Sequence, residues 1–152
     1  MLVAIDIGNT NILIGIINSE GLIQNQHRIS TVDLLNKEKS TLIELDNIFN
    51  DLNSISDYNF IIASVVPEAC NHLNQILKEI NISANILSST DKVLGMKIDI
   101  DKPSELGTDR IVNAIAAVDE YKAPLVVIDF GTATTFDIID SDGTYKGGLI
   151  CP

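Results

Sequence analysis

VAIDIGNTNILIG, the stretch from residue 3 to residue 15, returns in altered form as VVIDFGTATTFDI at residues 126–138. Each copy has an apolar run, an Asp (Asp6 or Asp129), an apolar residue, a Gly, a small polar cluster and further strand-like residues. Such a pattern predicts a strand, a tight turn and a second strand. NSEG follows the first pair of strands and DSDG the second, and each precedes another strand-like run. The sequence therefore predicts a three-stranded meander written twice.

Hydrophobic periodicity places helices and single strands around the two meanders. Apolar residues at helical spacing predict helices over about 40–52, from Pro67 onward, and over about 108–121. Strands are predicted at 59–65 and 84–88. A helix that could cover the sheet follows the first meander, and none follows the second in the sequence given. One face of the second sheet is therefore expected to be bare.

The composition excludes several classes of protein. The 152 residues include 10 Lys and Arg against 21 Asp and Glu, and a net charge of −11 argues against nucleic-acid binding. Cys70 and Cys151 lie far apart and are expected to be reduced thiols of a cytoplasmic protein. No apolar run reaches the roughly 18 to 20 residues of a membrane span. His27 and His72 have no partners at ligand spacing, so no zinc site is expected.

The repeated turn is suited to binding phosphate. Gly8 and Gly131 allow a close approach of backbone amides, which form anion-binding nests in such turns. The Asp before each Gly would repel a bare phosphate, so a magnesium or monovalent ion is expected beside it. Two such turns facing each other would hold a nucleoside triphosphate. A pair of ordinary hairpins remains the alternative.

A third motif, PSELGTDRIVNA, occupies residues 103–114. Thr108 is a plausible N-cap, which puts Asp109 and Arg110 in the first turn of a helix, where anions are favoured. Arg110 could bind a carboxylate through two hydrogen bonds, and Asp109 could accept a proton from a hydroxyl nucleophile. An ordinary helix start with a surface ion pair remains the alternative here.

Taken in order, the motifs resemble those of type III pantothenate kinases, in the superfamily of acetate and sugar kinases and actin-like ATPases. The matching stretches are DIGNTNI, SVVP, PSELGTDR, DFGTATTFD and GGLICP. The resemblance implies an α/β protein of the ribonuclease H-like, actin-like ATPase fold. It implies a duplicated domain, with residues 1–122 as the first copy and 123–152 as the start of an incomplete second copy. The implied activity is transfer of the γ-phosphoryl group of ATP to pantothenate, the first step of coenzyme A synthesis, by a cytoplasmic homodimer.

The resemblance also implies roles for individual residues. Asp109 would be the proton acceptor, and Asp129 would bind potassium or ammonium. The expectation of magnesium near Asp6 comes from the turn itself and is compatible with the resemblance. The residues expected to contact ATP are Asp6, Ile7, Gly8, Asn9, Thr10, Asn11, Ile12, Leu13 and Thr132, and those expected to contact pantothenate are Gly107, Thr108, Asp109 and Arg110.

The sequence departs from the family pattern in two places. Ile100 occupies a position where members often have a tyrosine near the substrate. The family chain also continues well beyond GGLICP, with the helices of the second domain, much of the dimer interface and a threonine that reaches the substrate.

Three other interpretations stay open at this point. The chain could be a different phosphotransferase or a phosphohydrolase of the same superfamily. It could be an accessory protein that binds nucleotide or a partner without turnover. It could also be a fragment with no stable fold, in which case its thermal unfolding would be broad.

Overall fold

The structure is a computed structural model that describes residues 1–52, 57–91 and 94–151. Contacts divide the chain into two units, Met1–Leu87 and Ser88–Pro152. The predicted domain boundary after residue 122 stays a prediction, and the second contact unit groups residues 108–121 with the strands that follow them.

The first unit is built on a mixed five-stranded sheet. Its first three strands form the predicted antiparallel meander, and the fourth lies parallel to the first, which places the first strand in the centre. The fifth strand is parallel to the fourth. The spatial order is β3-β2-β1-β4-β5. The strands are β1 Leu2–Ile7, β2 Asn11–Ile17, β3 Ile23–Ser30, β4 Asn59–Ser64 and β5 Ala84–Ile86.

The helices of the first unit are α1 Thr31–Leu35, α2 Lys39–Asn50 and α3 Pro67–Glu79. The short helix α1 is absent from the sequence prediction; the side chain of Ser30 caps it by accepting the backbone N–H of Asp33 at 3.2 Å. Pro67 is the first residue of α3, as predicted. The core draws on alternate residues of β1 and β2 and on all three helices, including Val3, Ile5, Ile7, Ile12, Ile14, Leu34, Leu45, Phe49, Leu73 and Leu77.

The second unit contains the second predicted meander and the helix before it. A 3-10 turn, Pro103–Glu105, precedes helix α4, Thr108–Tyr121. Strands β6 Leu125–Phe130, β7 Thr134–Ile139 and β8 Tyr145–Cys151 follow in antiparallel order. The core is smaller and consists of Leu106, Ile111, Ala114, Ile139 and Tyr145, with partly buried residues around them.

The predicted N-cap of α4 is wrong by one residue. Gly107 holds the N-cap position in an extended conformation, and Thr108 is the first helical residue. Gly107 has no side chain to accept a backbone N–H, and no side-chain capping bond is present. Thr108 therefore lies within the first turn of α4 and not at its N-cap.

The two meanders differ in how their equivalent faces are covered. Val3, Ile5 and Ile7 of β1 are 0, 2 and 0% exposed. Their counterparts in the repeated pattern, Val126, Ile128 and Phe130, are 55, 48 and 82% exposed. Helix α4 packs on the opposite face of β6, where Leu125 and Val127 adjoin the core. The expected bare face is therefore present, and it is apolar.

In the described parts of the chain, no helix has both the length and the apolar character needed to cross a membrane.

Candidate functional site

The turn between β1 and β2 is fastened by hydrogen bonds from a buried threonine. The N–H of Gly8 donates to the carbonyl of Asn11 at 3.0 Å, so this amide is used by the turn itself. Thr31 donates its hydroxyl to the carbonyl of Gly8 at 2.8 Å and its N–H to the carbonyl of Thr10 at 3.0 Å. Sequence reasoning missed Thr31, because a threonine at the start of an unpredicted helix carries no signal of its own.

Only part of the predicted ATP-binding stretch can offer side chains to a ligand. Ile7 and Ile12 are fully buried in the core, so they could contribute through the backbone alone. Asn9 and Thr10 are exposed at the turn. Asp6, Gly8, Asn11 and Leu13 are half-buried, and Asp6 pairs in register with Leu13 on β2 and with Ala63 on β4.

The equivalent turn of the second unit lies between β6 and β7. Gly131 donates its N–H to the carbonyl of Ala133 at 3.1 Å, and Thr132 is exposed. Asp129 is also exposed and pairs in register with Thr135. Asp129 and Thr135 share a face with Asp137, because residues two apart on a strand point the same way.

Helix α4 begins against this polar end of the sheet. Asp109 accepts the backbone N–H of Arg110 through Oδ1 at 2.8 Å. Burial raises the pKa of Asp109 above its usual value, and the negative charges of Asp129 and Asp137 add to the effect while Arg110 opposes it. The charges of Arg110 and Asp129 therefore both act on Asp109 within the second unit, although the sequence predicted Asp129 from a different motif. Gly107 and Thr108, also predicted, are half-buried and buried at the same helix start.

Arg110 makes its two-point contact inside the chain. Its Nε and Nη2 lie 2.8 and 2.6 Å from Oδ1 of Asp137, and Nη2 also donates to the carbonyl of Phe136 at 3.3 Å. The Arg110 side chain is 15% exposed and that of Asp137 is 2% exposed. Burial acts to lower the pKa of Arg110, but the hydrogen bond and charge of Asp137 outweigh it and the pKa is raised. Two nitrogens of Arg110 are thus engaged by one oxygen of Asp137, and the predicted two-point grip on a substrate carboxylate stays a prediction.

Tyr145 completes this cluster from β8. Its hydroxyl donates to the same Oδ1 of Asp137. Burial, followed by the hydrogen bond and charge of Asp137, raises the pKa of Tyr145, so the phenol remains a donor. Sequence reasoning missed Asp137 and Tyr145. The available signal was an Asp between apolar residues of a predicted strand, because a buried carboxylate requires a partner.

The described residues contain no group of three or more His, Cys, Asp or Glu side chains arranged to hold a metal ion. The isolated carboxylates of Asp6 and Asp129 fit a metal ion that takes few ligands from the protein. Magnesium usually takes one or two protein carboxylates and completes its shell with water and phosphate oxygens. A single carboxylate at Asp6 or Asp129 is compatible with that mode.

Solved structures define the class of fold. The chain is similar to a protein described as a 2-dehydro-3-deoxygalactonokinase from Sinorhizobium meliloti, with a TM-score of 0.60, 14% identity, 99% of this chain and 53% of the other covered. It is also similar to the ethanolamine utilization protein EutJ from Carboxydothermus hydrogenoformans, with a TM-score of 0.52, 12% identity, 99% of this chain and 51% of the other covered. The fold is that of the sugar kinases and actin-like ATPases.

Sequence comparison narrows the class to one family. The family model described as type III pantothenate kinase matches residues 2–152. The chain is 42% identical to the type III pantothenate kinase of Citrifermentans bemidjiense over 159 residues, and 41% identical to that of Paramagnetospirillum magneticum over 158 residues. These matches cover all of this chain but 60% and 59% of the two relatives. The chain belongs to the type III pantothenate kinase family and spans about three fifths of the length of these relatives.

Proposed function

We propose that this chain carries the nucleotide and substrate sites of a kinase that transfers the γ-phosphoryl group of ATP to pantothenate. One observation carries the proposal: in a member of this family, the half-buried Asp109 and the paired Arg110 stand at the start of α4 in the same electrostatic environment as Asp129. A carboxylate whose pKa is raised by burial is suited to accept a proton from a hydroxyl group.

The proposed role of Asp109 is general base. One of its oxygens, Oδ1, accepts the N–H of Arg110, which fixes the carboxylate relative to the helix. The other oxygen takes no part in that bond and would receive the proton of the substrate hydroxyl. Burial, with smaller contributions from the charges of Asp129 and Asp137, raises the pKa of Asp109 and makes its ionised form more basic than an exposed aspartate.

The helix start and the two turns would hold the anionic groups. The positive end of the α4 helix dipole, at Thr108 and Asp109 in its first turn, favours a substrate anion. Asn9 and Thr10 in the first turn and Thr132 in the second are exposed and would donate to ATP phosphates. Phosphoryl transfer depends mainly on such positioning and on charge neutralisation.

The proposal includes two cations. Asp6 would hold magnesium, and Asp129 would hold potassium or ammonium, each through a single carboxylate supplemented by phosphate and water oxygens. Such cations supply neutralisation of the charge on the phosphate groups. We place the protein in the cytoplasm as part of a homodimer, with no nucleic-acid partner in view of its net charge of −11.

The test is release of ADP from ATP by this chain with magnesium and potassium, in the presence and absence of pantothenate. We expect pantothenate-dependent release that Asp109→Asn lowers by roughly 10² to 10⁴, the usual contribution of a general base. ATP affinity should change little, because Asp109 is assigned to the other substrate. Turnover close to wild type in Asp109→Asn would remove Asp109 as the base.

A second candidate function is binding of nucleotide or a partner without turnover. The apolar face of the second sheet, 48 to 82% exposed at Val126, Ile128 and Phe130, favours this candidate because such a face is usually covered. Nucleotide binding by calorimetry, with no pantothenate-dependent ADP release from the same folded sample, would support it over the kinase.

A further inference from the structure

Three donor groups from two elements of the second unit, α4 and β8, converge on one buried oxygen. Arg110 of α4 directs Nε and Nη2 at Oδ1 of Asp137, at 2.8 and 2.6 Å. Tyr145 of β8 donates its hydroxyl to the same oxygen. Asp137 and Tyr145 are 1 and 0% exposed, so this contact is closed to solvent. We refer to Arg110, Asp137 and Tyr145 as the arginine clamp.

The contacts of the clamp determine which nitrogen atoms of the Arg110 guanidinium can still bind a ligand anion. The Nε–Nη2 edge, which matches a carboxylate best in side-on geometry, is taken by Asp137. Nη2 has a further acceptor in the Phe136 carbonyl at 3.3 Å. The Nη1 amino group takes no part in these contacts. Any ligand anion would therefore meet Arg110 through Nη1 and at a fixed position.

The backbone of β8 is fitted to the clamp. A Cβ atom on Gly148 would lie 2.5 Å from Nη2 of Arg110 and 3.0 Å from Oδ1 of Asp137, and it would overlap the Phe136 carbonyl oxygen. Real Cβ contacts essentially never fall below 3.0 Å. Glycine at this position leaves the space that the guanidinium of Arg110 occupies.

We propose that Asp137 and Tyr145 are positioning residues that hold Arg110 so that its Nη1 group meets the carboxylate of the substrate. The inference rests on the proposed function, since it assigns the anion to pantothenate. Tyr145 orients the carboxylate of Asp137, and Asp137 orients the guanidinium. Neither residue touches the substrate.

The sign of one mutational effect separates positioning from simple electrostatics. Asp137→Asn removes a negative charge close to a site that binds an anion. If Asp137 acted only through its charge, pantothenate would bind more tightly in this variant. If Asp137 holds Arg110 in place, pantothenate binds less tightly, because the freed guanidinium loses its fixed position.

The experiment follows the Nε–H signal of Arg110 by ¹⁵N NMR in the full 152-residue chain and titrates the same samples with pantothenate. In wild type we expect an Nε–H that exchanges slowly with water. Asp137→Asn should abolish this protection and weaken pantothenate binding roughly tenfold or more, as for loss of a hydrogen bond to a charged group. Tyr145→Phe retains the charge and the ring, so a smaller loss of about two- to tenfold is expected.

Asp99→Asn is the matched control. It removes one negative charge from the same unit and breaks the surface ion pair of Asp99 with Lys146. Asp99 touches the clamp only through its backbone N–H, which donates to the Tyr145 carbonyl at 2.9 Å and is retained in the variant. Both the Arg110 signal and the pantothenate affinity should match wild type in this variant.

The outcomes separate the two proposals. Unchanged or tighter pantothenate binding in Asp137→Asn overturns the positioning role, as does an Arg110 signal that stays protected in that variant. If Asp137→Asn does not fold, Tyr145→Phe decides, and an affinity equal to wild type there overturns the role of Tyr145. If wild type shows a protected Arg110 signal but no affinity for pantothenate, the assigned substrate is overturned, and with it the proposed function, while the hold of Asp137 on Arg110 stands.

Discussion

Gly148→Ala places a methyl group at the most crowded glycine of the second sheet. The new Cβ would overlap the Phe136 carbonyl oxygen and stand 2.5 Å from Nη2 of Arg110. The carbonyl belongs to the backbone of β7 and cannot move alone, so β8 must shift or the guanidinium must leave Asp137. Overpacking of this kind costs about 1–3 kcal/mol. At about 2–4 °C per kcal/mol for a chain of this size, Tm should fall by about 2–12 °C.

Gly15→Ala is the control for this prediction. Gly15 also lies within a strand, but its nearest neighbour for an added Cβ is the Ala4 carbonyl oxygen at 3.9 Å, which is ordinary contact. Its stability should stay within about 0.5 kcal/mol of wild type. The chain has no Trp, so urea unfolding is best followed by far-UV circular dichroism. Equal midpoints for the two variants would refute the steric reasoning.

Three further predictions follow from single residues. The acidic limb of the turnover–pH profile should lie above the ordinary aspartate pKa of about 3.9, because Asp109 must be ionised to act and its pKa is raised; a limb at the ordinary value would contradict its assignment. Burial and the contact with Asp137 raise the pKa of Tyr145 in the folded state, so its contribution to stability should be complete below about pH 10 and decline above it, as measured by urea unfolding at a series of pH values. Stability that does not decline above about pH 10 would count against the buried contact of Tyr145. Phe130→Ser should change stability by less than about 0.5 kcal/mol, since the side chain is 82% exposed, and should reduce any self-association seen by sedimentation velocity.

The strands were predictable because their signals are local. The repeat around Asp6 and Asp129 combined period-two apolar residues with glycine turns, and both meanders are present as expected. Pro67 marked the start of α3. Helix α1 was not predicted because five residues cannot show helical periodicity. It is stabilised by the N-cap Ser30 and by the hydrogen bond from Thr31 to the turn after β1.

The site was predictable only as a list of candidates. The motifs indicated Asp109, Arg110 and Asp129 as site residues. They did not indicate that Nε and Nη2 of Arg110 would contact Asp137. That pairing joins a residue of helix α4 to a residue of strand β7 that is 27 positions away, and Tyr145 reaches the same oxygen from the next strand. Short-range sequence patterns cannot predict that side chains from distant positions meet at one oxygen. A charged residue at an inward strand position indicates only that it has a partner.

The small core of the second unit should make its local unfolding easier than that of the first unit. Few fully buried residues, centred on Ile111, Ile139 and Tyr145, hold it together, whereas the first unit has a far larger core. Local unfolding free energy follows the amount of buried apolar contact, so amide hydrogens of β6–β8 should exchange with deuterium sooner than those of β1 and β2. A ligand that binds only the closed form slows this exchange in proportion to its occupancy. Deuterium uptake across Leu125–Cys151 would thus report binding at α4 and β6 even without turnover.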